Sequence, residues 1–197
     1  MVDFFVQGGG FMWPILIALL FGLAIIGERA YSLINSSSNT DQFFDDVKTI
    51  YDDSGKEQAI EFCENTQGPV ASIFYAGLSK MEKTKEEIEK AVQNAGGLEM
   101  AFLEKNMIWI NSVITIAPML GFTGTVVGMI KAFEDIKMAN DISPAVVAGG
   151  ISQALLTTAF GLIVAMIMQV AQNFFVSMID KLILDMEEQS IKIVEYL

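Results

Sequence analysis

Two long apolar runs of the sequence carry hydrogen-bonding side chains that could solvate a polar or charged group. A hydroxyl or an amide can donate and accept hydrogen bonds, but neither changes charge near neutral pH. Such a group can bond a carbonyl of its own helix, bond across to a second helix, or line a polar path. The candidates are Thr115, Thr123, Thr125, Gln153, Thr157 and Thr158.

The apolar runs contain no ionisable side chain. Phe11–Ile26, Asn106–Ile130 and Ile142–Met178 lack Asp, Glu, Lys and Arg, and the chain has no His. Because a proton relay inside a membrane usually depends on a carboxylate, any proton that passes here must be carried by a group on a partner protein. The sequence also lacks a Gly-x-Ser-x-Gly motif and a metal-ligand spacing, so we expect neither an enzyme nor a cofactor.

Small residues recur at helical spacing within the second and third apolar runs. Such stripes allow helix backbones to approach closely in lipid, where no hydrophobic force drives association. Packing alone is the simplest explanation, but the threonines that lie among the small residues favour an additional polar role. The candidate packing residues are Pro118, Gly121, Gly124, Gly128, Gly150, Ala154 and Gly161.

Composition and charge distribution predict an all-α integral membrane protein with three transmembrane helices. The chain has 197 residues, 52% of them hydrophobic, and a mean hydropathy of +0.45. Most of the 24 acidic and 12 basic residues lie between Glu28 and Lys105, so a water-exposed block separates the first span from the second. The net charge of −12, with no basic tract, argues against a nucleic-acid partner.

The apolar runs and the charged block divide the chain into seven predicted segments. The second and third helices exceed the length that a bilayer core needs, so both are expected to extend into a cytoplasmic helical bundle. The segments are a short periplasmic N-terminal piece (1–10), the first span (11–27), a cytoplasmic helical domain (28–106), the second span (107–133), a periplasmic loop (134–144), the third span (145–176) and a cytoplasmic amphipathic helix (177–197).

Local patterns predict further details of the charged block. Thr84 and Glu87 have the spacing of a capping box that begins a helix. That helix is expected to run on into the second span, with a bend at Gly96-Gly97. Other expected elements are a polar turn at 35–41 and helices over 41–51, 56–65 and 70–81.

The basic residues near the span ends set the expected orientation. Cytoplasmic loops carry an excess of Lys and Arg, and here the Glu28–Lys105 side holds more of them than the opposite side. The N-terminus is therefore expected outside the cytoplasm and the C-terminus inside. The basic residues on the first side are Arg29, Lys90, Lys105, Lys181 and Lys192, and those on the other are Lys131 and Lys137.

Two long motifs resemble the signature of the ExbB/TolQ/MotA proton-channel family. The first is APMLGFTGTVVGMI at 117–130, and the second is GISQALLTTAFGL at 150–162. The first span, which ends in Gly27-Glu28-Arg29, and the stretch from Pro69 to Glu104 are also similar. Three spans and this chain length resemble the ExbB/TolQ branch, since MotA-type subunits have four spans.

The resemblance implies a pentamer in a bacterial inner membrane, with the second and third spans lining a pore. The pore would hold the single spans of ExbD/TolR-like partners, each of which supplies one aspartate as the proton carrier. Thr125 and Thr158 match the family's pore threonines, and Gln153 and Thr157 are further candidates for the ion pathway. Proton flow would then drive work at the outer membrane through a TonB- or TolA-like protein.

The chain departs from the family pattern at two positions. Gln153 stands where relatives often carry a glutamate, and Ile167 stands where many have a proline. The first departure leaves the chain without a pore carboxylate, and the second favours a straighter third helix. A passive membrane scaffold that gathers partners without ion flux would use the same small-residue stripes and is the alternative. The sequence leaves open which pathway is powered and whether the ion is H⁺ or Na⁺.

Overall fold

The computed structural model describes residues 2–36, 40–139 and 144–197, and every regular element within them is an α-helix. The described residues exclude the middle of the expected turn at 35–41 and most of the connection after 139. The helices are α1 (Val2–Gln7), α2 (Met12–Ser36), α3 (Thr40–Ser54), α4 (Lys56–Asn65), α5 (Pro69–Ser79), α6 (Lys85–Leu103), α7 (Met107–Ala139) and α8 (Pro144–Tyr196).

Three helical stretches are long and apolar enough to cross a membrane, namely Met12–Ser36, Lys85–Met138 and Ala148–Tyr196. The prediction of an all-α membrane protein with three transmembrane helices is therefore confirmed. α2 continues nine residues past 27, the expected end of the first span, and its continuation buries Arg29 and Leu33 on one face. Asn35 and Ser36, which were expected in a turn, are therefore helical.

The chain forms two compact units, each with its own buried core. The apolar unit comprises Met1–Glu28 and Asn106–Asn173. The charged unit comprises Arg29–Lys105 and Phe174–Leu197. α2 and α8 each contribute residues to both units, because each is one uninterrupted helix.

The core of the charged unit forms around α5. Ile73, Phe74 and Leu78 of this helix are fully buried, together with Val92 of α6 and Ile193 of α8. Removing each of these side chains from water contributes on the order of 1.5–3 kcal/mol to folding. The short, apolar α5 is therefore a core helix rather than a membrane span.

The capping box predicted at the start of α6 is confirmed. The backbone N–H of Glu87 donates to Thr84 Oγ1 at 3.4 Å, and the backbone N–H of Thr84 donates to Glu87 Oε2 at 3.2 Å. The second bond lowers the pKa of Glu87, which is fully exposed. Because the folded pKa lies below the unfolded one, this contribution to stability is present at neutral pH and is lost as pH falls through the folded value.

The expectation that α6 runs on into the second span is wrong. α6 ends at Leu103, and Asn106 adopts a left-handed φ of 66° immediately before α7 begins. Asn tolerates this conformation better than most residues. Gly96 and Gly97, where a bend was expected, lie inside uninterrupted helix. Within the apolar unit, Asn106 Nδ2 donates to Glu28 Oε2 at 3.2 Å and fixes the start of α7.

Arg29 holds the end of α6 within the charged unit. Its side chain is 1% exposed, and Nη1 donates to the carbonyl oxygens of Phe102 and Leu103, at 3.4 Å each. The last carbonyls of a helix have no partner within the helix, and a cation near them also interacts favourably with the helix dipole. Arg29 therefore acts as a C-terminal cap supplied by a distant part of the chain.

In the apolar unit, α7 and α8 are antiparallel and in close contact through glycines. A Cβ added to Gly161 would lie 2.5 Å from the carbonyl oxygen of Ala117, and one added to Gly121 would lie 2.8 Å from that of Thr157. One added to Gly128 would lie 3.1 Å from the Cβ of Ala154. Since two of these neighbours are backbone atoms that cannot swing aside, only glycine fits at 121 and 161.

α2 packs on the same pair of helices by similar means. A Cβ on Gly22 would lie 2.5 Å from the sulfur of Met168, and the rings of Phe21 and Trp109 meet edge to face with centroids 6.2 Å apart. An apolar groove between α2 and α7 lies beside that ring pair. The three apolar helices therefore contact one another within one chain.

Replacing Arg29 by Ala should open the charged unit. Loss of the buried cation leaves two helix-terminal carbonyls without their donor, which costs about 2 kcal/mol. Cys63 reports the effect, because burial raises the pKa of its thiol to about 12 and keeps it unreactive until the unit opens. We expect alkylation of Cys63 at pH 8 to be roughly 30-fold faster in Arg29→Ala. The exposed Lys181→Ala is the matched control, and equal rates in the two variants would contradict the capping role.

A methyl group at Gly161 should disrupt the contact between α7 and α8. We expect Gly161→Ala to destabilise the protein by about 1–3 kcal/mol, because the new Cβ meets a backbone carbonyl. Gly149→Ala on the same helix is the control, since nothing lies within 4 Å of its added Cβ. Thermal unfolding in detergent, followed by circular dichroism, compares the two. Equal melting temperatures would show that the two helices separate easily.

Candidate functional site: a threonine cluster between two helices

The close approach of α7 and α8 brings two predicted site residues into direct contact. The hydroxyl oxygens of Thr125 and Thr158 are hydrogen-bonded to each other. Thr125 Oγ1 also lies 3.1 Å from the carbonyl oxygen of Ala154, and Thr158 Oγ1 lies 3.1 Å from that of Gly121. Each threonine thus reaches a carbonyl of the opposite helix, which requires the backbone spacing that the glycines allow.

The cluster contains more acceptors than its hydroxyl protons can use at one time. Thr125 can also donate to Gly121 of its own helix, at 3.2 Å. Each hydroxyl has one proton and two lone pairs. A threonine here can therefore turn its proton toward a visiting carboxylate, or leave it on a carbonyl and accept a hydrogen bond from a carboxylic acid. The cluster can solvate both protonation states without leaving a donor unpaired.

Thr157 occupies a different position from the other two threonines. It is 1% exposed, and its hydroxyl donates to the carbonyl oxygen of Ala154 at 2.7 Å, with that of Gly121 at 3.3 Å. A Cβ on Gly124 would lie 2.7 Å from this hydroxyl. In a single chain Thr157 lies within the contact between α7 and α8, whereas Thr125 and Thr158 are half-buried and reach the surface.

Gln153 does not join the threonine cluster. It lies five residues before Thr158, which places the two side chains about 140° apart around α8. Its amide contacts Gly9 in the connection between α1 and α2, where any Cβ would overlap it. Gly9 has a φ of 72°, so this position favours glycine on conformational grounds as well. A role for Gln153 in an ion pathway stays a prediction.

The small residues expected to pack helices lie between α7 and α8. Gly121, Gly124, Gly128, Ala154 and Gly161 are buried. Gly150 is half-buried, and a Cβ there would overlap that of Ala132. Pro118 is half-buried inside an α7 that continues through it.

Sequence reasoning missed the backbone acceptors of the cluster. The carbonyls of Gly121 and Ala154 receive the hydroxyls, but nothing in the residue types marks them. A threonine predicts a bond to the carbonyl four residues earlier, as Thr123 makes to Met119 at 2.8 Å. The bonds across helices depend on the register of α7 against α8, which one sequence does not provide. No group of three metal-ligating side chains was found among the described residues.

Comparison with known proteins identifies the family. The profile of the MotA/TolQ/ExbB proton channel family matches residues 65–188, more than half of the chain. An ExbB-like biopolymer transport protein of Synechocystis sp. is 29% identical over 173 residues, 87% of this chain and 82% of that protein. An ExbB homologue of Methanothermobacter thermautotrophicus is 28% identical over 180 residues, 91% of this chain and 64% of the relative.

A third relative is named as a TolQ protein rather than an ExbB protein. The Tol-Pal system protein TolQ of Pseudomonas aeruginosa is 28% identical over 117 residues, which cover 54% of this chain and 51% of that protein. The chain thus spans only about half to two-thirds of the length of several relatives. The profile match and these names agree with the two motifs that contain the threonines of the cluster. This chain belongs to the MotA/TolQ/ExbB proton channel family, in its ExbB/TolQ-like branch.

Proposed function

We propose that this chain is the channel-forming subunit of an inner-membrane motor driven by the proton-motive force. Five copies surround the single spans of ExbD/TolR-like partners, and each partner brings the carboxylate that carries the proton. The motor then acts on the outer membrane through a TonB- or TolA-like protein. Family membership supports the channel role, and the geometry around Thr125 and Thr158 supports the place where the partner's carboxylate moves.

The threonine cluster is the observation that carries the proposal. The three apolar runs of this chain have no ionisable group, so the charge must come from outside the chain. A wall that contacts a carboxyl group in both of its protonation states needs neutral groups that can both donate and accept. Thr125 and Thr158 meet that need, and both reach the surface of the chain. Neither an enzymatic function nor a cofactor-dependent function has comparable support in the described residues.

Assembly into a homo-oligomer follows from the exposed surface of the apolar unit. Among the most apolar windows of the three membrane-length stretches, only 17–33% of the residues are buried within the chain. Exposed hydrogen-bonding side chains such as Ser152 and Gln169 would face hydrocarbon in a lone subunit, which is costly. Neighbouring copies, lipid and a partner helix together cover this surface, and the family implies five copies.

The proposed membrane placement keeps the segments expected from the sequence. The first span is 11–27, the second 107–133 and the third 145–176, with 1–10 and 134–144 on the periplasmic side. The cytoplasmic parts are 28–106 and 177–197. The excess of Lys and Arg on the cytoplasmic side supports this orientation.

The alternative is a passive scaffold that organises partner proteins without ion flux. The glycine contacts between α7 and α8 would serve a scaffold equally well. A scaffold, however, has no use for two surface-reaching hydroxyls that share carbonyl acceptors. Threonine-to-valine variants separate the two hypotheses, because they keep shape and remove only the hydroxyl.

We expect Thr125→Val and Thr158→Val to lower proton flux sharply while assembly survives. Each change should lower the free energy of unfolding by about 1 kcal/mol or less, since the carbonyls that lose a hydroxyl donor still accept backbone hydrogen bonds within their own helices. In proteoliposomes with the one-span partner, proton flux measured with a pH-sensitive dye should fall at least about tenfold. Thr123→Val is the matched control, because Thr123 is exposed and its hydroxyl bonds only its own helix. Normal flux in both Val variants would leave these threonines with a packing role only, and specific flux through this chain alone would contradict a proton carrier on the partner. A complex with native threonines that passes no protons would leave the scaffold as the better hypothesis.

Cysteine labelling tests the orientation. A membrane-impermeant maleimide applied to intact cells should reach a cysteine at Asn140, which lies outside the described residues, but not one at Ser54. The native Cys63 should stay silent, because it is buried and its pKa is raised to about 12. Labelling at 54 with none at 140 would reverse the proposed topology.

A further inference from the structure

Gln169 and Asn173 form an exposed pair of amides on α8. Gln169 Nε2 donates to Asn173 Oδ1 at 2.9 Å, and both side chains are exposed. This bond uses one donor and one acceptor, and the remaining N–H and C=O groups of the pair have no partner among the described residues. The pair is therefore equipped to bind water or another polar group.

The register of α7 against α8 places Gln169 well inside the membrane. Gly161 lies against Gly121, and the other glycine contacts keep the same antiparallel register. Continued along both helices, this register sets Gln169 opposite Val113. α7 begins at Met107, six residues before Val113 and about 9 Å away along the axis at 1.5 Å per residue, and the first charged residue before it in the sequence is Lys105.

The packing of α2 gives an independent measure of the same depth. Gly22 lies against the sulfur of Met168, the neighbour of Gln169. Glu28 follows Gly22 by six residues, about 9 Å along α2. Two helices thus agree that Gln169 lies on the order of 10 Å inside the nearest charged side chains. An amide exposed to hydrocarbon at that depth is strongly unfavourable, so Gln169 must face water or protein.

Gln169 shares a face of α8 with Thr158. Eleven residues make slightly more than three whole turns, so the two side chains point within about 20° of each other. Val170, the next residue, points about 100° away and is 72% exposed. About one turn after Gln169, the buried side-chain oxygen Oε1 of Gln172 has no hydrogen-bond partner among the described residues. An acceptor of this kind is a natural site for water.

We propose that Gln169 and Asn173 form an inner polar station of the ion pathway, where they hold the water that links the threonine cluster to the cytoplasm. The inference rests on the proposed function, because it takes the Thr158 face of α8 to be the pore face. A proton released from the partner's carboxylate at the cluster passes along this water, and the amides orient the water without changing charge themselves. Gln169 is thus a positioning residue, about 16 Å along α8 from Thr158.

Thiol reactivity in membrane vesicles tests whether Gln169 faces water. Single cysteines replace Thr158, Gln169 or Val170 in a Cys63→Ala background, and a charged methanethiosulfonate reagent is applied to vesicles of both orientations. The reagent reacts with the thiolate, which forms in water but not in hydrocarbon. We expect Gln169→Cys to react at least about tenfold faster than Val170→Cys. Equal rates at 169 and 170, or disulfides between copies through residue 169, would overturn the proposal.

The remaining outcomes separate this inference from the proposed function. Slow reaction at 169 with fast reaction at 158 would contradict only the proposed water site at Gln169. Slow reaction at both positions would also contradict the assignment of the Thr158 face of α8 to the pore. Gln169→Met keeps an unbranched side chain of similar length and loses the amide. In the reconstituted complex it should lower proton flux about tenfold, and Val170→Met should leave it unchanged. Fast labelling at 169 with normal flux in Gln169→Met would show that the amide has no part in the pathway.

Discussion

The distance between the backbones of α7 and α8 controls the rest of the apolar unit. The carbonyl of Ala117 lies where a side chain at 161 would begin, and that of Thr157 lies where one at 121 would begin. In lipid, such contact replaces the hydrophobic force that packs helices in water. It also brings the hydroxyls of Thr125 and Thr158 within reach of carbonyls on the opposite helix. A wider separation would leave each threonine bonded only to its own helix.

Two adjacent residues of opposite charge each hold one helix end, and each acts within its own unit. Glu28 accepts a hydrogen bond from Asn106 within the apolar unit, and Arg29 caps the end of α6 within the charged unit. Each of these two residues thus contacts a residue more than seventy positions later in the sequence, within its own unit. The Gly-Glu-Arg at the end of the first span has a structural role in this chain that does not require contact with an ion.

The sequence predicted the helices well and the contacts between them poorly. Charge-free runs identified the three membrane-length helices, and Thr84 with Glu87 identified a capping box, because each signal is local. The break at Asn106 was missed, since a left-handed Asn has no strong sequence signature and the glycine pair at 96–97 was the more obvious candidate. The sequence pattern of α8 also failed to distinguish Thr157, which is buried between α7 and α8, from Thr158, one residue later. That distinction depends on how α8 is rotated against α7, which only a three-dimensional structure provides.

The shared carbonyls of the threonine cluster have an entropic consequence. Thr125 Oγ1 lies 3.2 Å from the carbonyl oxygen of Gly121 and 3.1 Å from that of Ala154, and Thr158 Oγ1 lies 3.1 Å from that of Gly121. The two hydroxyl protons can therefore be arranged in more than one way. Such a hydrogen-bond network needs only hydroxyl rotation to adapt to the partner's carboxyl group proposed above, and hydroxyls rotate far faster than helices move. The surface formed by Thr125 and Thr158 would therefore stabilise neither the ionised nor the protonated carboxyl group strongly over the other. A surface without such a preference releases the carboxyl group as readily as it binds it, which is what repeated proton transfer through a narrow pore requires.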